Sequence, residues 1–104
     1  MADTSLKGLQ KAVDVWISEN GGYWDEMSLM CRLTEEVGEL AREYNHRFGA
    51  KKKKPSEDEA SVEGELADVL WLVLCMANQQ GIDLDSALED VFTKLKVRDA
   101  GRWA

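Results

Sequence analysis

The sequence predicts an all-α fold, a bundle of four helices, and three observations carry that reading. Apolar residues recur at three- and four-residue spacing in four separate segments. No segment alternates apolar with polar residues between turns, and Pro55 is the single proline. At 104 residues the chain reads as one domain, 1–104, with a core of modest size.

The first helix is expected to start at Thr4 or Ser5, to carry Leu9, Val13, Trp16 and Ile17 on one face, and to stop at "NGG". A loop, "GGYWDE", leads into a second helix from about Ser28 to Phe48. Its apolar positions Met30, Leu33, Val37, Leu40, Ala41, Tyr44 and Phe48 keep amphipathic spacing, and Gly49 ends it. The linker "AKKKKPSEDEAS" follows, in which Ser56 and Glu59 form a capping box that would begin the third helix. From Val69 to Ala77 the third helix, "VLWLVLCMA", is apolar all the way round. Such a helix needs cover on every side, and three short helices supply too little. A partner subunit, most simply in a two-fold dimer, is therefore expected. The fourth helix starts near Asp83 or Ser86, with a stripe of Leu84, Ala87, Leu88, Val91 and Leu95, and carries Lys94 and Arg98 four residues apart.

Bulk composition narrows the function. A net charge of −7 disfavours binding to a nucleic-acid polymer or an anionic membrane, since phosphates need clustered Lys and Arg. The chain has no 18-residue apolar span, and "MADTSLKGLQ" lacks the apolar centre of a signal peptide. Cys31 and Cys75 form no CxxC and read as reduced thiols of a cytoplasmic protein.

The chemistry lies in two carboxylate pairs. Residues i and i+3 sit about 60° apart around a helix, so Glu36 and Glu39 can share one volume, as can Glu65 and Asp68. Nine residues separate Glu39 from Phe48, and nine separate Ser56 from Glu65. In an antiparallel hairpin with arms of equal length, Glu39 would face Glu65 and Glu36 would face Asp68, about 13 Å from the tip. The remaining acids, Glu43, Glu57, Asp58, Glu59 and Glu63, are expected on solvated faces. Carboxylates gathered in a partly buried place repel one another unless a cation joins them. An all-oxygen set suits a hard ion, Mg²⁺ or Mn²⁺, and such an ion commonly serves phosphates. Lys94 and Arg98 then read as a phosphate clamp, with dipole-complementing surface cations as the alternative.

"LTEEVGEL" followed by "GELADVLWLVLCMANQQGIDLDSALEDVFTKLKVR" resembles the MazG-type all-α nucleotide pyrophosphohydrolases, over roughly residues 25 to 100. The family pattern is EExxE, a gap, then ExxD, met here by Glu35, Glu36, Glu39, Glu65 and Asp68. The resemblance implies Mg²⁺-dependent hydrolysis of a nucleoside triphosphate to monophosphate and pyrophosphate. It implies Glu36, Glu39, Glu65 and Asp68 as ligands and Glu35 as the group that positions or deprotonates water. It also implies a homodimer or a dimer of dimers (a homotetramer). Where family members carry an Asn before the Lys of the fourth helix, this chain has Thr93.

Trp24, with Tyr23 in the loop before the metal-bearing helix, is the stacking candidate for a base; Trp71 reads as subunit core. The Lys51–Lys54 run reads as a solvated tip, with a mobile lid as the alternative. Two other function classes fit parts of the pattern. Glu43-Tyr-Asn-His46 matches the Glu-x-x-His of redox di-metal bundles. A non-catalytic assembly module would use the acids for solubility alone.

Overall fold

The computed structural model describes residues 5–49 and 61–98. Four helices follow in order, α1 Leu6–Glu19, α2 Glu26–Phe48, α3 Val62–Gln79 and α4 Leu84–Arg98, with no strand among the described residues.

Local chemistry accounts for most of the boundaries. Ser5 caps α1 as expected, its hydroxyl accepting from the Gly8 N–H at 3.1 Å. Gly21 and Gly22 then turn the chain at φ of 102° and 84°, a region that strains any residue with a Cβ. α2 begins two residues ahead of the expected Ser28 because Asp25 is its cap. The Asp25 carboxylate accepts from both the backbone N–H and the hydroxyl of Ser28, each at 2.9 Å. Those bonds hold it below the usual carboxylate range. Gly49 caps the other end, as expected.

α3 departs from the expectation. Ser61 caps it, its hydroxyl taking the Gly64 N–H at 3.1 Å. The expected capping box of Ser56 and Glu59, like the Lys51–Lys54 run, lies outside the described residues. The hairpin with arms of equal length therefore does not hold. α2 runs nine residues past Glu39, whereas α3 has only three ahead of Glu65.

The two helices are antiparallel all the same. Arg47, near the end of α2, meets Glu63 at the start of α3. At the opposite end the Gln79 amide donates to the Trp24 carbonyl at 2.7 Å. α1 and α2 both pack on α3, and Val13, Leu29, Leu72, Leu74 and Cys75 form the core where the three helices meet. One buried polar residue joins three helices. The Gln10 amide donates to Asn78 Oδ1 at 3.0 Å and to the Ile82 carbonyl at 2.8 Å, and its oxygen accepts from the Leu84 N–H at 3.1 Å. Every hydrogen-bonding atom of that amide faces a partner, which makes burial affordable and sets the α3–α4 turn.

α2 turns only part of its expected face inward. Leu29, Glu36 and Glu43 are buried, and Leu33 and Leu40 half-buried. The apolar stripe of Met30, Val37, Tyr44 and Phe48 points out, Phe48 being 69% exposed. The expectation of a solvated Glu43 fails here: it is 4% exposed, with His46 Nδ1 3.7 Å from its carboxylate. On α3, Leu72, Leu74, Cys75 and Ala77 are buried, while Leu66, Leu70 and Trp71 keep substantial exposure. α4 has no buried residue, and Val97 is 78% exposed. Among the described residues no helix is long and apolar enough to cross a membrane.

Candidate functional site

Glu36 on α2 and Glu65 and Asp68 on α3 each offer a carboxylate oxygen, and these oxygens all lie within 4.8 Å of one another. Glu36 and Glu65 are 3% and 6% exposed, whereas Asp68 is exposed at the rim. The reason is angular. The inward face of α3 at this level is taken by Val62, Glu65 and Leu72, and Asp68 stands to one side of it, over an open cleft. Glu39 is exposed and lies outside the set of three, yet its charge acts on both buried acids. Glu35 is turned further out, its side chain 63% exposed and 3.6 Å from Arg32.

The electrostatics are those of crowded acids. Burial, first, and then the hydrogen bond to Glu36 and the charges of Glu39, Glu36 and Asp68 push Glu65 up to about 7. Glu36 is raised by burial and by Glu39, against the opposing pull of Arg32. Arg32 Nη2 lies 2.7 Å from Glu36 Oε1. The second oxygens, Oε2 of Glu36 and of Glu65, are buried and accept no hydrogen bond. Buried carboxylate oxygens left in this state are costly when charged, and a proton or a cation relieves them.

A pH dependence follows. Folding raises the Glu65 value from the ordinary 4.5 to about 7, so between those values the folded state holds more protons than the unfolded. The metal-free protein should then lose stability as pH rises through that window. In chelator, Tm is expected to be lower at pH 8 than at pH 5.5, by on the order of 5 °C. A Tm that is flat or rising over that range would contradict the crowded-acid description.

Beside the acids opens a cleft of about 400 Å³, lined among others by Trp16, Trp24, Trp71, Arg32, Glu36 and Asp68. That size falls among small-molecule pockets. Trp16 and Trp71 meet edge to face, ring centres 5.6 Å apart. Trp24 is 59% exposed at the cleft. Its loop is tied down by the Gln79 amide and by the Tyr23 hydroxyl, which donates to Asp14 Oδ1 at 2.6 Å. Burial and that bond raise Tyr23 to about 12. Lys94 and Arg98 are exposed near the end of α4 and do not line the cleft.

Sequence reasoning missed Arg32 and Trp16. Arg32 is four residues before Glu36, a spacing that puts both on one helix face, and that was the available signal. Among the described residues His46 lies outside the carboxylate set and beside Glu43 instead.

The model of the MazG nucleotide pyrophosphohydrolase domain matches residues 25–103. The chain belongs to the MazG family. It is 46% identical over 104 residues to YpjD of Bacillus subtilis (strain 168), spanning 99% of this chain and 94% of that one. The crystal structure of YpjD superposes with a TM-score of 0.79, covering 90% of this chain and 97% of its own. The structure of a Bacillus-conserved MazG protein, described as a nucleotide pyrophosphohydrolase, is 42% identical with a TM-score of 0.74, covering 90% and 91%. The expected resemblance and the four-helix, all-α MazG-like fold are thus both met, and membership makes this chain a hydrolase of the nucleotide pyrophosphohydrolase class.

Proposed function

We propose that this MazG protein hydrolyses nucleoside triphosphates, ribo- or deoxyribo-, to monophosphate and pyrophosphate with Mg²⁺, Mn²⁺ being a substitute. The observation that carries the reading is the set of three carboxylates, two of them buried with unsatisfied oxygens, opening onto a cleft walled by tryptophans. These donors fit a hard divalent ion: all are oxygens, and two of the acids sit where charge without a cation is costly. Glu36, Glu65 and Asp68 would hold it, with Glu39 completing the set from the exposed edge.

When bound, Mg²⁺ supplies charge neutralisation of the phosphates and acidification of a bound water. Hydrolysis joins a water oxygen to the α phosphorus and breaks that atom's bond to the α–β bridging oxygen, so that pyrophosphate leaves. Glu35 is the candidate to orient the water and take its proton. Trp24 is the candidate to stack on the base, across from the Trp16–Trp71 pair. Lys94 and Arg98 remain candidates for the phosphate clamp, reaching a site through a partner subunit. The exposed apolar stripes of α2 and α4 support a homodimer or homotetramer. The clearing of damaged or non-standard nucleotides in the cytoplasm is the cellular role this reading favours.

The test is a panel of ribo-, deoxyribo- and modified triphosphates, assayed for pyrophosphate with and without Mg²⁺. Release from at least one, lost in chelator, is expected. No release from any of them would refute the proposal.

A further inference from the structure

The cation nearest the carboxylates is not on α4. It is Arg32, one turn before Glu36 on α2, touching both neighbouring acids: Glu36 Oε1 at 2.7 Å and Glu35 Oε2 at 3.6 Å. Glu36 is almost wholly buried, whereas the Arg32 side chain is 43% exposed and lines the cleft together with Asp68 and the tryptophans. One end of the ion pair is therefore fixed and the other can move. Arg32 is also the only cationic side chain lining that cleft among the described residues.

Glu36 cannot serve a guanidinium and a divalent ion equally well. A positive charge this close opposes an incoming Mg²⁺, and an ion taken up at the free Oε2 weakens the negative charge that holds Arg32 to Oε1. A guanidinium displaced from Glu36 stays on the cleft wall, where its planar fork matches phosphate oxygens.

We propose that Arg32 is an exchangeable counter-ion. It neutralises Glu36 in the metal-free protein, gives that carboxylate up when Mg²⁺ binds, and then holds the triphosphate of the substrate. This rests on the metal-site reading above and adds a phosphate-binding residue from within the same subunit. It also has a consequence that a purely structural ion pair lacks, because the two affinities respond to Arg32 in opposite directions.

The test uses the full chain and two probes, Mg²⁺ alone and inorganic tripolyphosphate in excess Mg²⁺, followed by calorimetry or by fluorescence of the cleft tryptophans. Arg32→Met is expected to tighten Mg²⁺ binding by about tenfold, because a nearby positive charge is gone. It is expected to weaken tripolyphosphate binding by about tenfold, because a charge-assisted fork is lost. Arg32→Lys keeps the charge without the fork, so Mg²⁺ binding should stay within about threefold of wild type while tripolyphosphate binding weakens, by less than in Arg32→Met. Asp68→Asn serves as the reference, and circular dichroism verifies the helices of each variant. If Asp68→Asn and wild type bind Mg²⁺ equally, the metal-site reading fails and this inference falls with it. If Asp68→Asn loses Mg²⁺ while Arg32→Met shifts both affinities the same way, or shifts neither, Arg32 is a static partner of Glu36 and the inference alone is overturned. Arg32→Lys tightening Mg²⁺ binding as much as Arg32→Met would overturn it too, by tracing that effect to shape rather than charge.

Discussion

Glu65→Gln is expected to abolish turnover and to stabilise the metal-free protein at the same time. The two effects have one cause. Glu65 is 6% exposed, faces Glu36, Glu39 and Asp68, and is pushed up to about 7, so at pH 8 it is charged in a place that disfavours charge. Gln keeps the shape and removes the charge. In chelator at pH 8 its Tm should rise by on the order of 5 °C, and at pH 5, where Glu65 is protonated anyway, the difference should vanish. Activity should move the other way. Loss of a group behind the ligands of a metal site already costs 10- to 100-fold in many enzymes, so loss of a ligand should cost more than about 100-fold. Wild type should gain stability from Mg²⁺ through binding to the native state, and the variant should not. Three readouts, pyrophosphate release, Tm in chelator and Tm with Mg²⁺, separate this outcome from simple misfolding. A variant that is less stable yet fully active would show Glu65 to be a structural residue.

Val37→Lys is expected to dissociate the homo-oligomer proposed above. Val37 is 48% exposed at the middle of the outward stripe of α2, with Met30 one heptad before it and Tyr44 one heptad after. Tyr44 and Phe48 pack ring to ring at 5.4 Å on the same side, so the surface is continuous. A stripe of that kind, along 23 residues of helix, is more apolar surface than a lone helix usually leaves in water. Were it the subunit interface, a two-fold axis would bury two lysines for each substitution, each without a partner. Association should weaken by more than about 100-fold. Sedimentation velocity should show a shift to monomer, with loss of thermal stability, while Val37→Leu should sediment as wild type. A Val37→Lys protein that keeps the wild-type mass would remove this face from the assembly.

How far the sequence could be read differs element by element. Ser5, Asp83 and Gly49 are punctuation with a local mechanism, an oxygen for an orphan N–H or a residue that stops the helix, and each acts where it was expected. Asp25 uses the same mechanism but was passed over for Ser28, the residue it caps. The start of α3 went astray because Ser56-x-x-Glu59 and Ser61 both offer a capping oxygen, and periodicity cannot rank them. The carboxylate pairs were legible because i, i+3 spacing carries geometry within one helix. Glu36, Glu65 and Asp68 do meet, although the hairpin count assumed arms of equal length and the arms are unequal.

The helix content, the caps and the grouping of acids within each helix were decided by the sequence by itself, since all depend on contacts between residues at most four apart. Which face of α2 turns inward was decided only by the tertiary structure. An apolar stripe and an acidic stripe compete for the interior of that helix, and hydrophobicity alone favours the first. Glu36 and Glu43 lie inward beside Leu29, with Leu33 and Leu40 half-buried, and Met30, Val37, Tyr44 and Phe48 are left outside. The same packing brings Arg32 and Trp16 to the cleft and satisfies Gln10 from residues 68 to 74 positions away. Contacts between distant segments depend on how the helices rotate about their own axes. That rotation is set by all the packing partners together, and no local stretch of sequence specifies it.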